Sequence, residues 1–324
     1  MKKFNPASLA AAPYLVWMVV FIIVPLLMIG VFAFTTTLTV DAEGTILNED
    51  ALYALSLHDL DPAAEAGPLV LELAEESLTI QLPVSEKTVF TMANIMAVSD
   101  YMPVMFHSIW LALIATAVCL VIAYPLSYLM SRMSYSRQQT MVMLVMLPMW
   151  MNFLLRTYAW MTLLERNGWI NKFFGLFGMG PFEMINTPGA VVLGMVYNYL
   201  PFMVLPLYSI MTKIDQRTIE AAHDLGASGL KVFSRVILPL SMPGIASGIT
   251  MVFVPSVSTF IISRMLGGGT NMLIGDLIDL QFLGNAYNPN LGAAMSLVLM
   301  VFVLLCMSIT NQLDSDDIEG GALI

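Results

Sequence analysis

Glu220-Ala221-Ala222-His223-Asp224-Leu225-Gly226-Ala227-Ser228, running on to Val236-Ile237-Leu238-Pro239, is a polar island between two long apolar runs. Its local physics predicts a compact helix-turn-helix. Asp215 offers an N-cap to a short helix reaching about Leu225. Gly226 supplies the left-handed residue that stops it. Ser228 offers a second cap, to a short helix carrying Leu230, Phe233 and Ile237. Pro239 and Pro243 are expected to end that second helix and turn the chain into the next apolar run. Glu220 and Asp224 fall at i and i+4 on one face, beside the small side chains of Ala221 and Ala222. Small residues flanked by charge allow another backbone to approach closely, so the loop reads as an exposed docking knob.

What surrounds the loop decides where it sits. Of the 324 residues, 58% are hydrophobic and only 11% charged, against roughly 45–50% and about 25% in a soluble domain. Mean hydropathy is +0.80. Such a chain lacks the charge to cover a water-facing surface, which excludes a disordered tail, a nucleic-acid binder and an ordinary cytosolic enzyme. Six runs reach the roughly 20 apolar residues a membrane-crossing helix needs: about 13–34, 105–130, 140–164, 189–211, 244–265 and 291–310. The first follows Lys2 and Lys3 but is longer than a cleavable signal core, so it reads as an uncleaved anchor. The fold class expected is an all-α integral membrane protein with six transmembrane helices.

Charge sets the orientation. Lys2, Lys3, Arg132, Arg137, Lys213, Arg217, Lys231 and Arg235 fall in the N-terminus and the loops after spans two and four. The alternate loops hold Lys87, Arg166, Lys172 and, at a boundary, Arg264. Positive residues favour the inside, so both termini are expected in the cytoplasm, with the polar island on the same side. Residues 38–100 contain 12 acidic residues and one lysine, over half of the acid in a chain of net charge −10. They form an expected extracytoplasmic loop or small subdomain, with a short strand at Leu78-Thr79-Ile80-Gln81-Leu82. The layout is then 1–37, N-terminal tail and first helix; 38–100, acidic insert; 101–312, transmembrane domain with the cytoplasmic loop at about 213–241; 313–324, acidic cytoplasmic tail.

Glu-Ala-Ala, three residues, Gly, nine residues, then a branched apolar residue, any residue and Leu-Pro resembles the EAA loop of type I ABC importer permeases, with Val236 where that family usually has Ile. Leu154-Leu155-Arg156-Thr157-Tyr158, Asn167-Gly168-Trp169-Ile170-Asn171, Leu200–Tyr208 and Leu273-Ile274-Gly275 followed by Gln281-Phe282-Leu283 are similar to the spermidine/putrescine permease subfamily, the PotB/PotH type. The acidic insert has no counterpart in that resemblance.

The resemblance implies a non-catalytic subunit forming half of a translocation pore. A cytoplasmic ABC ATPase dimer would receive the loop in a groove, a second homologous permease would complete the pore, and an extracytoplasmic binding protein would deliver a polyamine. Glu220, Ala221, Ala222, Asp224, Gly226 and Pro239 would be the ATPase-coupling residues. The chain carries no Gly-x-x-x-x-Gly-Lys-Ser/Thr nucleotide motif, so hydrolysis is expected in the partner.

A flexible polycation needs acidic and aromatic groups along its path. The candidates are Glu165, Asp276 and Asp279 near outer span ends, with Tyr158, Trp160, Tyr197 and Tyr199. Arg156, at or near the end of span three, is expected to pair with Glu165 or to reach outward to water. No cofactor, metal or catalytic group is expected, because Cys119, Cys306, His58, His107 and His223 are scattered. The competing readings are an importer permease for another small solute, a secondary transporter and a membrane enzyme. The last two lack, respectively, internal repeats with charged span centres and a visible catalytic constellation.

Overall fold

A computed structural model describes residues 16–40, 46, 67–72, 77–82, 85–284 and 287–320, with side chains at 16–40, 46, 85–284 and 287–310. Lys2, Lys3, most of the acidic insert and the side chains of the acidic tail lie outside these residues. Among the described residues, five helices are long and apolar enough to cross a membrane: α1 (Val16–Ala33), α2 (Ala93–Ser131), α6 (Pro188–Met211), α8 (Gly229–Val257) and the Pro289–Thr310 part of α11 (Pro289–Gly320). Between α2 and α6 lie α3 (Tyr135–Trp150), α4 (Phe153–Leu164) and α5 (Trp169–Gly175). The polar island forms α7 (Gln216–Asp224), and two short helices, α9 (Ile261–Gly267) and α10 (Ile274–Leu283), separate α8 from α11.

The expected third span, 140–164, is two half-helices bent by 89°. Its sequence explains the break. Pro148 lies in a tight 3-10 turn, Leu147–Trp150, and Asn152 then starts a new helix by accepting from Leu154 N at 2.8 Å and Leu155 N at 3.4 Å.

At two other prolines the helix continues by way of a wider turn. A π-helical turn at Val19–Ile23 precedes Pro25, and another at Phe233–Ile237 precedes Pro239. In each, the residue before the proline bonds five back, Val24 N–H to Val19 O and Leu238 N–H to Phe233 O. The wider turn makes room for the ring and absorbs the missing donor.

The chain divides into two compact units, Met1–Ser99 with Asn288–Leu297, and Asp100–Tyr287 with Val298–Ile324. In the first, β1 (Thr35–Val40) pairs antiparallel with β4 (Ser85–Phe90), from Thr35 opposite Phe90 to Val40 opposite Ser85. Asn94 Nδ2 donates to Thr35 O at 2.8 Å, and Phe34 stacks on Phe90 at 5.8 Å. β2 (Gly67–Glu72) pairs antiparallel with β3 (Ser77–Leu82), which contains the expected strand. The insert therefore adds two short ladders to the helical fold.

In the second unit α2, α6 and α8 pack around Cys119, Ala123, Met203, Val204, Leu207 and Val252, all fully buried. Small residues set the spacing: a Cβ on Gly248 would overlap Met203, and one on Gly244 would press on Ile210. Ser127 Oγ donates to Val204 O at 3.1 Å across the α2/α6 contact. A second layer, Leu111, Ala115, Val191, Met195, Ile262 and Leu266, brings α9 against α6.

Candidate functional site

The loop after α6 is built as its residues dictate. Asp215 Oδ1 accepts from Arg217 N at 3.0 Å and caps α7. Gly226 stops the helix at φ +80°, with its N–H on His223 O (2.8 Å) and Ala227 N–H on Ala222 O (3.1 Å). Ile219 is the buried anchor, packed with Ile214, Val232 and Ile237, while Ala222 and Ala227 close the cluster's edge. Glu220, Ala221 and Asp224 are therefore on the free face, and the apolar Leu225 and Leu230 are 89% and 79% exposed beside them.

Two expectations about this loop are corrected. Pro239 and Pro243 do not end a helix: α8 runs unbroken from Gly229 to Val257 because the π turn accommodates Pro239. Pro239 thus stands at the base of a membrane helix, and the loop is α7 plus the first turns of α8. Ser228 occupies the cap position of α8, but its side chain makes no capping bond.

Sequence reasoning missed the residue that ties this loop to α2. Arg132 Nη1 donates to Gln216 Oε1 at 3.0 Å and to Ile214 O at 3.4 Å, and its guanidinium lies 5.3 Å from the Tyr128 ring centre. The cue available was a single arginine closing an apolar span. Lys213, Asp215, Thr218, Leu240 and Pro243 line a cleft of about 430 Å³ under the same loop.

The pathway candidates fall into separate groups. Asp276 and Asp279 sit on α10, facing Arg264 of α9. Asp279 is ion-paired with Arg264 Nη2, and Asp276 Oδ1 lies 3.9 Å from Arg264 Nε. Asp276 is only 2% exposed. Its Oδ2 accepts from Leu273 N at 2.8 Å and caps α10. Burial pushes its carboxyl above the usual range, against the pull of the Leu273 N–H, Ser263 and Arg264.

Leu273-Ile274-Gly275 is explained by the same corner. Ile274 N donates to Ser108 Oγ at 2.8 Å, and a Cβ on Gly275 would meet the carbonyl oxygens of Ser258 and Thr259. Only glycine lets α10 approach the broken end of α8 so closely.

Trp160 and Tyr197 meet edge to face at 5.3 Å. Arg156 joins them, its guanidinium 5.9 Å from the Tyr197 ring centre and 5.7 Å from Phe153. The expected partner of Arg156 is corrected: it is 7% exposed and donates from Nη1 to Pro148 O at 2.6 Å. The Pro148 carbonyl also accepts from Met151 N at 3.2 Å, closing the 3-10 turn, and the arginine one turn into α4 reaches its second lone pair. Glu165 and Tyr158 are exposed and belong to neither group. Tyr199 OH donates to Pro255 O at 3.4 Å.

Asn167–Asn171 proves to be a staple. Asn171 Nδ2 donates to Glu165 O and Phe182 O, at 3.1 and 2.9 Å, and its Oδ1 accepts from Phe182 N at 2.8 Å. A Cβ on Gly168 would meet the carbonyls of Thr162 and Leu163.

Comparison with known proteins agrees with this geometry. The profile of the family described as "Binding-protein-dependent transport system inner membrane component" matches residues 7–316. The spermidine/putrescine transport system permease protein PotB of Escherichia coli (strain K12) is 40% identical over 225 residues, covering 68% of this chain and 82% of that protein. The PotB protein of Haemophilus influenzae is 41% identical over 209 residues, covering 63% and 72%. Among solved structures, a bacterial ABC transporter involved in the import of the acidic polysaccharide alginate superposes with a TM-score of 0.68 over 96% of this chain and 95% of that one. At 13% identity that likeness concerns the fold. With a profile match over nearly the whole chain and a loop that reproduces the Glu-Ala-Ala pattern on a buttressed helix, the protein belongs to the inner membrane components of binding-protein-dependent transport systems.

Proposed function

We propose that the chain is one of two permease subunits of an ATP-driven importer for polyamines of the spermidine and putrescine kind. The observation that carries the machine class is the loop at α7: Glu220, Ala221 and Asp224 stand free on a helix whose opposite face is locked by Ile219. The cargo rests on the likeness to PotB proteins, whose name specifies spermidine and putrescine.

Both termini and the α7 loop face the cytoplasm in this reading. There an ABC ATPase dimer takes the Glu220–Asp224 face and the exposed Leu225 into a groove. The insert at 38–100 lies outside, where a substrate-binding protein docks, and a second permease completes the pore. Residues 313–324 form a cytoplasmic tail.

The packing supports a transmission route. A push on α7 reaches α8 through Ile219 against Val232 and Ile237. It reaches α2 through Arg132 on Gln216 and Ile214. Because Phe233–Val257 continues without a break across Pro239, movement at the loop becomes movement of a whole membrane helix, the rigid-body type of switch. Trp160 and Tyr197, with Asp276 and Asp279, are the pathway residues of this reading.

The test is mild-detergent purification of the tagged chain, with bound proteins identified by mass spectrometry, followed by uptake of labelled spermidine. Recovery of an ATPase and a second six-span permease, together with uptake, is the expected result. The chain recovered alone, intact and monodisperse, would overturn the machine class. A complete complex that carries no polyamine would overturn the cargo.

A further inference from the structure

Arg264 serves two carboxylates at once. It pairs with Asp279 and lies 3.9 Å from Asp276. One cation against two carboxylates leaves the cluster one negative charge in excess when both are ionised. The distribution of burial is uneven. Asp276 is 2% exposed and its Oδ1 has no hydrogen-bond partner among the described residues, whereas the Arg264 side chain is 49% exposed. The buried part of the cluster is thus the acid Asp276, and the solvent-facing part is the base.

The surroundings suit an alkylammonium. Asp279 lines a cleft of about 390 Å³ with Ser258, Phe260, Gly275, Ile278 and Phe282. The Phe260 ring centre lies 5.9 Å from the Arg264 guanidinium, so a cation here already rests near an aromatic face. Helix α8 ends at Val257, and the Ser258 and Thr259 carbonyls crowd Gly275 at the cleft's edge, adding partial negative charge. An arginine side chain is itself a cation on a short methylene stem, the same chemistry as one end of a polyamine.

We propose that Arg264 is an exchangeable internal cation: it holds Asp279 and Asp276 in the empty permease and is displaced by a primary ammonium of the incoming polyamine. This rests on the polyamine reading above. The ammonium would take Asp279 in the open cleft, with Asp276 supplying unmatched charge from behind and Phe260 a face for the methylene chain. Arg264 would swing toward solvent and return when the ammonium leaves, so that the substrate is not trapped on a bare pair of carboxylates. Exchange is favoured because a half-exposed ion pair is only weakly held.

The experiment uses the complete permease–ATPase complex without the binding protein, and measures equilibrium binding of labelled spermidine. Asp279→Asn should weaken binding by about three- to tenfold. Arg264→Gln should tighten it by about the same factor, because it removes the internal competitor. The opposite signs are the signature. Both changes weakening binding would make the pair a structural brace and overturn the proposal, as would no change in either. Asp276→Asn keeps an acceptor for Leu273 N and is the substitute where Asp279→Asn fails to insert; it should also weaken binding, and unchanged binding would count against the proposal. Arg264→Lys, which keeps the charge, replaces Arg264→Gln on the same ground and should stay on the wild-type side of Arg264→Gln; binding as tight as in Arg264→Gln would overturn the exchange. A wild-type importer that carries no polyamine defeats the cargo assignment, whereas uptake without the sign reversal defeats this inference alone.

Discussion

Gly226 is where the coupling loop is most exposed to a single change. Its φ of +80° is in the left-handed region, and nothing lies within 4 Å of an added Cβ. Steric overlap with neighbours is therefore absent, and the cost of a side chain is the backbone term alone, roughly 1–2 kcal/mol for an ordinary residue. Gly226→Ala should cost about 1 kcal/mol, and Gly226→Asn less, since asparagine tolerates this conformation. Gly226→Pro is different in kind. The ring fixes φ near −65° and removes the N–H that bonds His223 O at 2.8 Å, so the helix end should be lost at about 3 kcal/mol or more.

Hydrogen exchange at the amides of Leu225 and Ala227 reads these numbers directly. A loss of about 1 kcal/mol corresponds to roughly fivefold faster exchange. ATPase stimulation and uptake in the assembled importer should fall in the order Gly, Asn, Ala, Pro, while membrane insertion is unchanged. A stable, correctly inserted Gly226→Pro protein with wild-type uptake would refute the argument that the geometry of this turn aims α7 at its partner.

Other consequences are more local. Ile219→Ala empties the centre of the cluster with Ile214, Val232 and Ile237; it should cost about 2–4 kcal/mol, and uncoupled ATPase activity with intact insertion is the expected readout. Asn171→Ala deletes the three bonds that tie Glu165 and Phe182 together; about 2–3 kcal/mol of local stability should go, seen as faster protease cleavage between 165 and 187. Gly275→Ala drives a Cβ into the carbonyls of Ser258 and Thr259 and should lower the melting temperature by an overpacking cost of about 1–3 kcal/mol. Gly229→Ala, with open space around it, is its control and should stay within about 0.5 kcal/mol.

Sequence patterning was informative wherever one local rule governed. Asp215, Gly226 and the apolar runs each act within a few residues, and the cap, the left-handed stop and the helices appear where those residues stand. It was weakest where two rules met. Pro239 reads as a helix end because the missing N–H is visible in the sequence, but the π turn that absorbs it is not. Pro148 reads as a kink, yet Asn152 four residues later turns it into a full break. The pairing of Thr35–Val40 with Ser85–Phe90 was not legible, because the partner strand lies about 50 residues away. Arg264 was counted as a loop charge, and its contact with Asp276 and Asp279 depends on α9 and α10 folding back on one another.

The hydrogen-bond pattern argues further about what this subunit leaves open. In a bilayer each buried polar group must find its partner inside the protein. Ser108, Thr116, Ser127, Thr157 and Ser256 obey, each donating to a backbone carbonyl. Among the described residues, the buried side-chain atoms without a partner belong to four residues only: Arg132, Arg156, Asn198 and Asp276. Arg132 holds the loop that faces the ATPase in our reading, Asp276 stands behind Asp279 at Arg264, Arg156 lies beside Tyr197 where α4 meets α6, and Asn198 donates to Gly194 O on its own helix. Glu220 and Asp224 differ from the buried four: they are exposed, so leaving them without an intramolecular partner costs little, and in our reading they are offered to a soluble partner.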